Sequence, residues 1–407
     1  MITIILVVAD AAILIPPALI FTYLAALSVL ALVERRRPLC RARRLRRFCI
    51  VIPARDEEPG IARTVASALH VRYPAGLFDV VVVADNCADR TAGVARAAGA
   101  CVFERNDALH RGKGYALRWI FNMVAAPASG YEAIAVVDAD TIVAANFLAV
   151  MNAYLEGGAR AVQATDVVDC PVSGWMSDIV GIAVSLYNVV RPLGRRALRL
   201  SAGLRGNGMC FESALLREIP WNAYTQTEDV EYGFALAQRG ITVVFAPETS
   251  VVGAIPAQSR NAESQRARWE IGRYSVIRAF VPVLARSAIR ERSLIQIDAL
   301  AELLIPPLAN LVGVTTLLAL FTWLLVYAGV DALKPVGAGW TIALGLAGIH
   351  IVIGLIAVRA GWKTFVSLAR APVYLLWKLK LYGKVLSSGH TEEWVRTARD
   401  AERSPSS

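Results

Sequence analysis

A chain of 407 residues with 56% hydrophobic and only 19% charged residues is too apolar for a purely soluble protein. Its net charge of +10 does not point to nucleic acid, because most of the basic surplus sits beside apolar runs, where anionic lipid attracts it. The six cysteines include no C-x-x-C pair, so free thiols are expected rather than zinc ligands or disulfides.

Residues 1–33 are almost uncharged apart from Asp10 and are long enough, at 1.5 Å per residue, to cross a hydrocarbon core of about 30 Å. A membrane anchor over 1–34 is predicted. Arg35, Arg36, Arg37, Arg41, Arg43, Arg44, Arg46 and Arg47 follow it, and the positive-inside rule places that side in the cytoplasm. A signal peptide fits less well, since its basic residues would precede the apolar run.

Mixed sequence over 47–273 then alternates short apolar runs with helical stretches. Strands are predicted at 48–52 (broken by Pro53), 78–83, 100–103 and 133–137, with helices near 59–70, 89–98 and 113–125. Such alternation implies an α/β domain with a Rossmann-like, mostly parallel sheet, whose ligands bind outside the carboxyl ends of the strands. Asp56, Glu57, Asp85, Asp138 and Asp140 all fall at those ends. Residues 161–164 make a fifth strand. The apolar stretch 175–190 is too short to span and reads as an interfacial, acceptor-facing or buried helix. Gly206-Asn207-Gly208 leads into another short strand, and its glycines permit close approach of backbone to a ligand.

Beyond the domain, 274–302 reads as an interfacial helical segment, 303–330 and 339–359 as two more membrane helices, and 361–407 as an interfacial amphipathic segment with a cytoplasmic tail. The connection 331–338, where Asp331 and Lys334 cancel, suits the far side of the membrane.

Three clusters carry chemistry. Asp138 and Asp140, at i and i+2 after a buried strand, can hold Mg²⁺ or Mn²⁺ while substrate phosphates supply further oxygens. Thr227-Glu228-Asp229 opens a helix with Thr227 at the N-cap position, and Asp229 is a candidate general base. A helix N-terminus favours ionised carboxylate, so its pKa is expected to be low. Gln265, Arg268 and Trp269 share one helical face, offering a forked cation for diphosphate and a stacking floor for sugar. Lys113 is the only lysine before Lys334 in an arginine-rich chain, which suits a site needing a compact point charge. Asp85 has two readings, a hydrogen bond to a nucleotide or a turn cap.

In this order the motifs Pro53-Ala54-Arg55-Asp56-Glu57, Ala84-Asp85-Asn86, Gly112-Lys113-Gly114, Asp138-Ala139-Asp140, Gly206-Asn207-Gly208, Thr227-Glu228-Asp229 and Gln265-x-x-Arg268-Trp269 resemble glycosyltransferase family two, in its processive and lipid-acceptor branches. The resemblance implies a GT-A fold and a nucleotide-sugar donor, a UDP-sugar or a similar nucleotide sugar. It implies donor contacts from Pro53, Arg55, Glu57, Asp85, Lys113 and Asp138, with metal held by Asp138 and Asp140. Catalysis would fall to Asp229 with Glu228, and diphosphate or acceptor contacts to Gly206, Asn207, Gly208, Gln265, Arg268 and Trp269. Arg55 stands where polymer synthases often carry an aromatic residue. Three spans are few for a polymer channel, so the implied reaction is inverting transfer to a lipid-linked, membrane-embedded or glycan acceptor at a bacterial inner membrane. The alternative is a processive polysaccharide synthase coupled to export.

Overall fold

The computed structural model describes residues 2–35, 42–169, 175–254 and 276–375. These divide into two compact units, one joining Met1–Arg37, Ser173–Leu198 and Leu303–Trp394, the other joining Pro38–Val172 and Arg199–Glu302. The uncharged opening run forms a single helix, α1 (Ile2–Glu34), which continues through Pro16 and Pro17.

The second unit is built on an eight-stranded mixed sheet. Its first half follows the predicted alternation: β1 (Phe48–Ala54), α2 (Ile61–Leu69), β2 (Phe78–Asp85), α3 (Thr91–Ala97), β3 (Cys101–Arg105), α4 (Lys113–Val124) and β4 (Ala133–Val136). In β1 the side chains of Phe48, Ile50 and Ile52 join Ile61, Val65, Phe147 and Met151 in one core, while Cys49 and Val51 join Leu117, Ile120 and Phe121 in another. Burial on both faces is why the strand reads as a continuous apolar run. Pro53 does not end β1. Pairing to β4 stops at Val51, so Pro53 lies where only β2 is paired, and the donor it lacks is not needed on the β4 side.

The second half departs from a parallel pattern. After β5 (Thr141–Val143) and α5 (Phe147–Glu156), β6 (Ala161–Asp169) runs well beyond the predicted four residues. The chain then enters the first unit as α6 (Trp175–Ser185), a π-turn at Leu186–Val190 and α7 (Arg191–Ala197). It returns as β7 (Met209–Glu212), α8 (Ser213–Glu218), α9 (Glu228–Gln238) and β8 (Val243–Ala254). The sheet order is β3-β2-β1-β4-β7-β6-β8-β5, with β7 antiparallel to both β4 and β6, and β5 antiparallel to β8. Residues 276–291 (α10) and α11 (Leu294–Leu304), as far as Glu302, complete this unit.

In the first unit, α12 (Leu308–Tyr327) and α13 (Lys334–Ala357) join α1 as three helices long and apolar enough to cross a membrane. The second span begins later than expected, because Pro306 and Pro307 separate it from α11. The connection expected over 331–338 is mostly helical, since α13 starts at Lys334. A short helix, α14 (Trp362–Ser367), follows. Of the apolar stretch 175–190, the structure selects packing inside this unit: Gly354 lies so close to Leu186 that a Cβ would collide. Arg35 donates to the carbonyls of Ile356 and Ala357, both at 2.8 Å, and so caps the last turn of α13.

Candidate active site

Four segments meet around Lys113. Gly112, with φ of 119°, turns the chain into α4, where Lys113 is the first residue. Its Nζ donates to Asp138 Oδ1 and to the Gly206 carbonyl, each at 2.6 Å, and stands 3.5 Å from Glu228 Oε1. Gly206 closes the fourth side: at φ of 80° its position admits no side chain without crowding Asp229 Oδ2, which would lie 3.2 Å from a Cβ there. The lysine, Asp138, Glu228 and Asp229, more than a hundred residues apart in sequence at the extremes, therefore share one cleft.

Two buried amides fix this arrangement. The Asp138 N–H donates to Asn207 Oδ1 at 3.1 Å, while Asn207 Nδ2 donates to Thr141 Oγ1 at 3.0 Å and to Asp166 Oδ1 at 3.3 Å. Gln163 Nε2 donates to the Asn207 carbonyl at 2.7 Å, and its Oε1 accepts the Arg205 N–H at 2.9 Å. Asn207, which the resemblance assigns to diphosphate or acceptor, is buried, and its amide holds the Asp138 turn. Gly208 likewise answers to packing, since a Cβ would meet Val251 at 2.8 Å. Sequence reasoning missed Thr141, Gln163 and Asp166. A lone glutamine inside the buried run Ala161-Val162-Gln163-Ala164 was the available signal.

The electrostatics overturn the expectation for Asp229. Burial pushes both its carboxyl and that of Glu228 upward, against the opposing charge of Lys113. A helix N-terminus offers at most about 2 kcal/mol to an anion, whereas full burial can move a carboxyl by about 3–5 pKa units, near 1.4 kcal/mol each. Thr227 does occupy the N-cap, but its buried hydroxyl has no hydrogen-bond partner among the described residues. Asp166 is pushed up to about 7 by burial and then by the charge of Asp138. Lys113 is held protonated: burial works against its charge, and Asp138, Glu228 and Asp229 outweigh it.

Asp85 is the last residue of β2 rather than the first of a loop, and it is 3% exposed. Its Oδ1 accepts from Arg105 Nη1 at 2.6 Å and from Asn86 Nδ2 at 3.0 Å. Arg105 in turn donates to the His110 carbonyl and Asp107 Oδ2, which ties down the loop leading to Lys113. Asp85 thus sits in a buried ion pair with Arg105 at the end of β2. Beyond Pro53 and Arg55, the loop after β1 takes a left-handed step at Asp56 (φ 51°), whose Oδ1 accepts the Ala88 N–H, and the Glu57 N–H donates to Thr91 Oγ1. Gln265, Arg268 and Trp269 lie outside the described residues.

The donor set fits a divalent cation. Asp138, Asp166, Glu228 and Asp229 crowd the same corner as Lys113, four acids to one cation, and burial raises three of the carboxyl groups, so a bound cation would be favoured there. Asp138 and Asp140 would contribute oxygens from one turn, which leaves room for phosphate ligands. Among the described residues, the tightest group of ligand-type side chains is elsewhere, at Asp56, Cys87 and Asp89, where the acids already accept backbone and threonine hydrogens.

Sheet and cleft together define a glycosyltransferase of the GT-A type. The same fold is found in a mannosyltransferase from Pyrobaculum calidifontis solved with GDP-Man and Mn²⁺: 19% identity, TM-score 0.50, covering 83% of this chain and 99% of that one. The chain belongs to the family described as "Glycosyltransferase like family 2", which it matches over residues 46–272. Beta-monoglucosyldiacylglycerol synthases of Trichormus variabilis and a Nostoc species are each 28% identical over 235 residues, 55% of this chain and 48% of theirs. The chain spans about half the length of these curated relatives.

Proposed function

We propose that this protein is an inverting, metal-dependent membrane glycosyltransferase that moves a sugar from a nucleotide sugar, a UDP-sugar, to a lipid acceptor embedded in the membrane. The observation that carries the reading is the single cleft in which Lys113 joins Asp138 and the Gly206 carbonyl beside Glu228 and Asp229.

Asp138 and Asp140 would hold Mg²⁺ or Mn²⁺, which when bound neutralises the diphosphate as it leaves. Lys113 supplies a second, fixed positive charge at the same carboxylate. Asp229 takes the proton of the acceptor hydroxyl as that oxygen attacks the anomeric carbon, and its raised proton affinity makes it a stronger base than an exposed aspartate. One displacement with one base inverts the anomeric centre. Glu228, buried 3.5 Å from Lys113, holds the lysine between the two acids. The network of Asn207 and Gln163 keeps the Asp138 turn in register with the loop at Gly206.

Three candidate spans and the diacylglycerol-glucosylating relatives support a glycerolipid-like acceptor, and the arginines following α1 favour a catalytic unit on the cytoplasmic side of a bacterial inner membrane. The test is a panel of nucleotide sugars offered with membrane lipid extract, with products identified by mass. A lipid gaining one hexose from one UDP-sugar supports the reading. Turnover confined to water-soluble acceptors, or a polymer from a single donor, overturns it.

A further inference from the structure

From the hairpin of α10 and α11 we infer a binding site for one acyl chain of an anionic membrane phospholipid, with Arg292 at its mouth receiving the phosphate. The inner side of the hairpin is anchored. Leu284 is fully buried, Phe280 packs against Phe234 of α9 with ring centroids 5.8 Å apart, and Gln296 Nε2 donates to the Gln238 carbonyl at 3.2 Å. The turn is set by Arg292, whose φ of 49° reverses the chain, and by Gln296 Nε2 donating to Glu291 Oε2 at 2.7 Å. Between the two helices lies a notch of about 320 Å³ lined by Ala285, Ala288, Ile289, Ile297 and Leu300, with Arg292 the sole charged residue on its wall.

The outer surface has two properties that choose the occupant. Ile289, Leu294 and Ile297 are 80%, 72% and 48% exposed, an unfavourable display toward water on a helix pair so well anchored behind. Interleaved with them are the exposed Arg278, Arg286, Arg290 and Arg292, against Glu291 alone, so the complementary partner is apolar and negatively charged. Leu304 ends α11 only four residues before Leu308 opens a candidate span, so along the chain this hairpin enters the membrane next. A membrane phospholipid of the facing leaflet meets both requirements. The inference rests on the membrane reading of those spans and is independent of which sugar is transferred.

The full-length protein, reconstituted in vesicles of phosphatidylcholine with a minor fraction of photoactivatable phosphatidylglycerol carrying a diazirine on one acyl chain, is irradiated, digested and mapped. Label is expected on the peptide covering 285–300, and less of it when the reactive lipid is phosphatidylcholine. Ala285→Trp fills the notch and is expected to cut that label about tenfold, as loss of a few buried methylenes would. Arg292→Asn, which tolerates the left-handed backbone, is expected to abolish the preference for phosphatidylglycerol while chain labelling persists. UDP binding, measured alongside, reports on the cleft and should be unchanged in both variants. Label unchanged in Ala285→Trp, or equal labelling by both lipids in the unaltered protein, overturns the site. So does a raised KM for the lipid acceptor with phosphatidylglycerol labelling intact, which would assign the notch to the acceptor. If nucleotide-sugar turnover fails while labelling behaves as described, the functional reading is at fault and the lipid site stands.

Discussion

The two units bury different kinds of polar side chain. Among the candidate spans several are joined by direct bonds: Asp10 accepts from Thr322 Oγ1 at 2.6 Å and from Trp340 Nε1 at 2.9 Å, and Ser28 meets His350 Nδ1 at 2.7 Å, while the buried Thr315 hydroxyl and His350 Nε2 have no partner among the described residues. The paired groups are neutral or singly charged and bridge one helix to another, so these contacts serve helix association. In the cleft, acids gather in excess of cations around Lys113, and burial pushes Asp166, Glu228 and Asp229 upward, with neighbouring acids adding to it at Asp166 and Glu228. A folded protein keeps such an imbalance where something charged arrives to resolve it. The contrast separates polar groups that hold a structure from those that await a ligand.

The sharpest way to break this contrast is to remove charge from the cleft. Asp138→Ala is expected to lower turnover by about 10³-fold or more, the loss of a metal's charge stabilisation, and to abolish Mn²⁺-dependent UDP binding in calorimetry. Retained metal-dependent binding would detach Asp138 from the cation. Asp229→Asn should reduce transfer by roughly 10²–10⁴-fold, the range of a general base, while UDP binding survives; normal turnover would remove the base from this residue.

A smaller effect concerns pH. Asp229 must be ionised to accept a proton, and its proton affinity is raised by burial. Activity present at neutral pH should therefore fall on acidification at a higher pH than an ordinary aspartate would give, seen in kcat/KM against pH. An acid limb at the ordinary value would mean the carboxyl is solvated during turnover.

The span cluster should respond in stability alone. Asp10→Leu leaves the Trp340 N–H without its acceptor and is expected to cost about 1–3 kcal/mol, read as a lower Tm in detergent. Thr322 can turn its hydroxyl back to its own helix. Unaltered Tm with lost turnover would place Asp10 in function and erase the distinction drawn between the units.

Much of this was legible in the chain. Buried parallel strands have to be continuously apolar, so β1, β2 and β4 stand out while the edge strand β3 is shorter and half exposed, and acids placed directly after them mark the ligand-binding edge. Three long uncharged runs announce α1, α12 and α13, because a hydrocarbon core tolerates little else. The catalytic candidates Asp138, Glu228, Asp229 and Lys113 could be picked by residue type and order.

Their environment could not. Whether Asp229 lowers or raises its pKa depends on how deeply the start of α9 is buried, and that depends on Lys113 of α4 and the loop at Gly206 closing on it. The antiparallel insertion of β7 between β4 and β6 depends on pairings that no local period encodes. Asn207 and Gly208 look like ligand contacts in a glycine-rich loop, and only the tertiary structure reveals one bracing Asp138 and the other making room for Val251. Residue identity supplied the charges, and the fold decided which of them would be denied water, since desolvation is a property of everything packed around a group and not of the group itself.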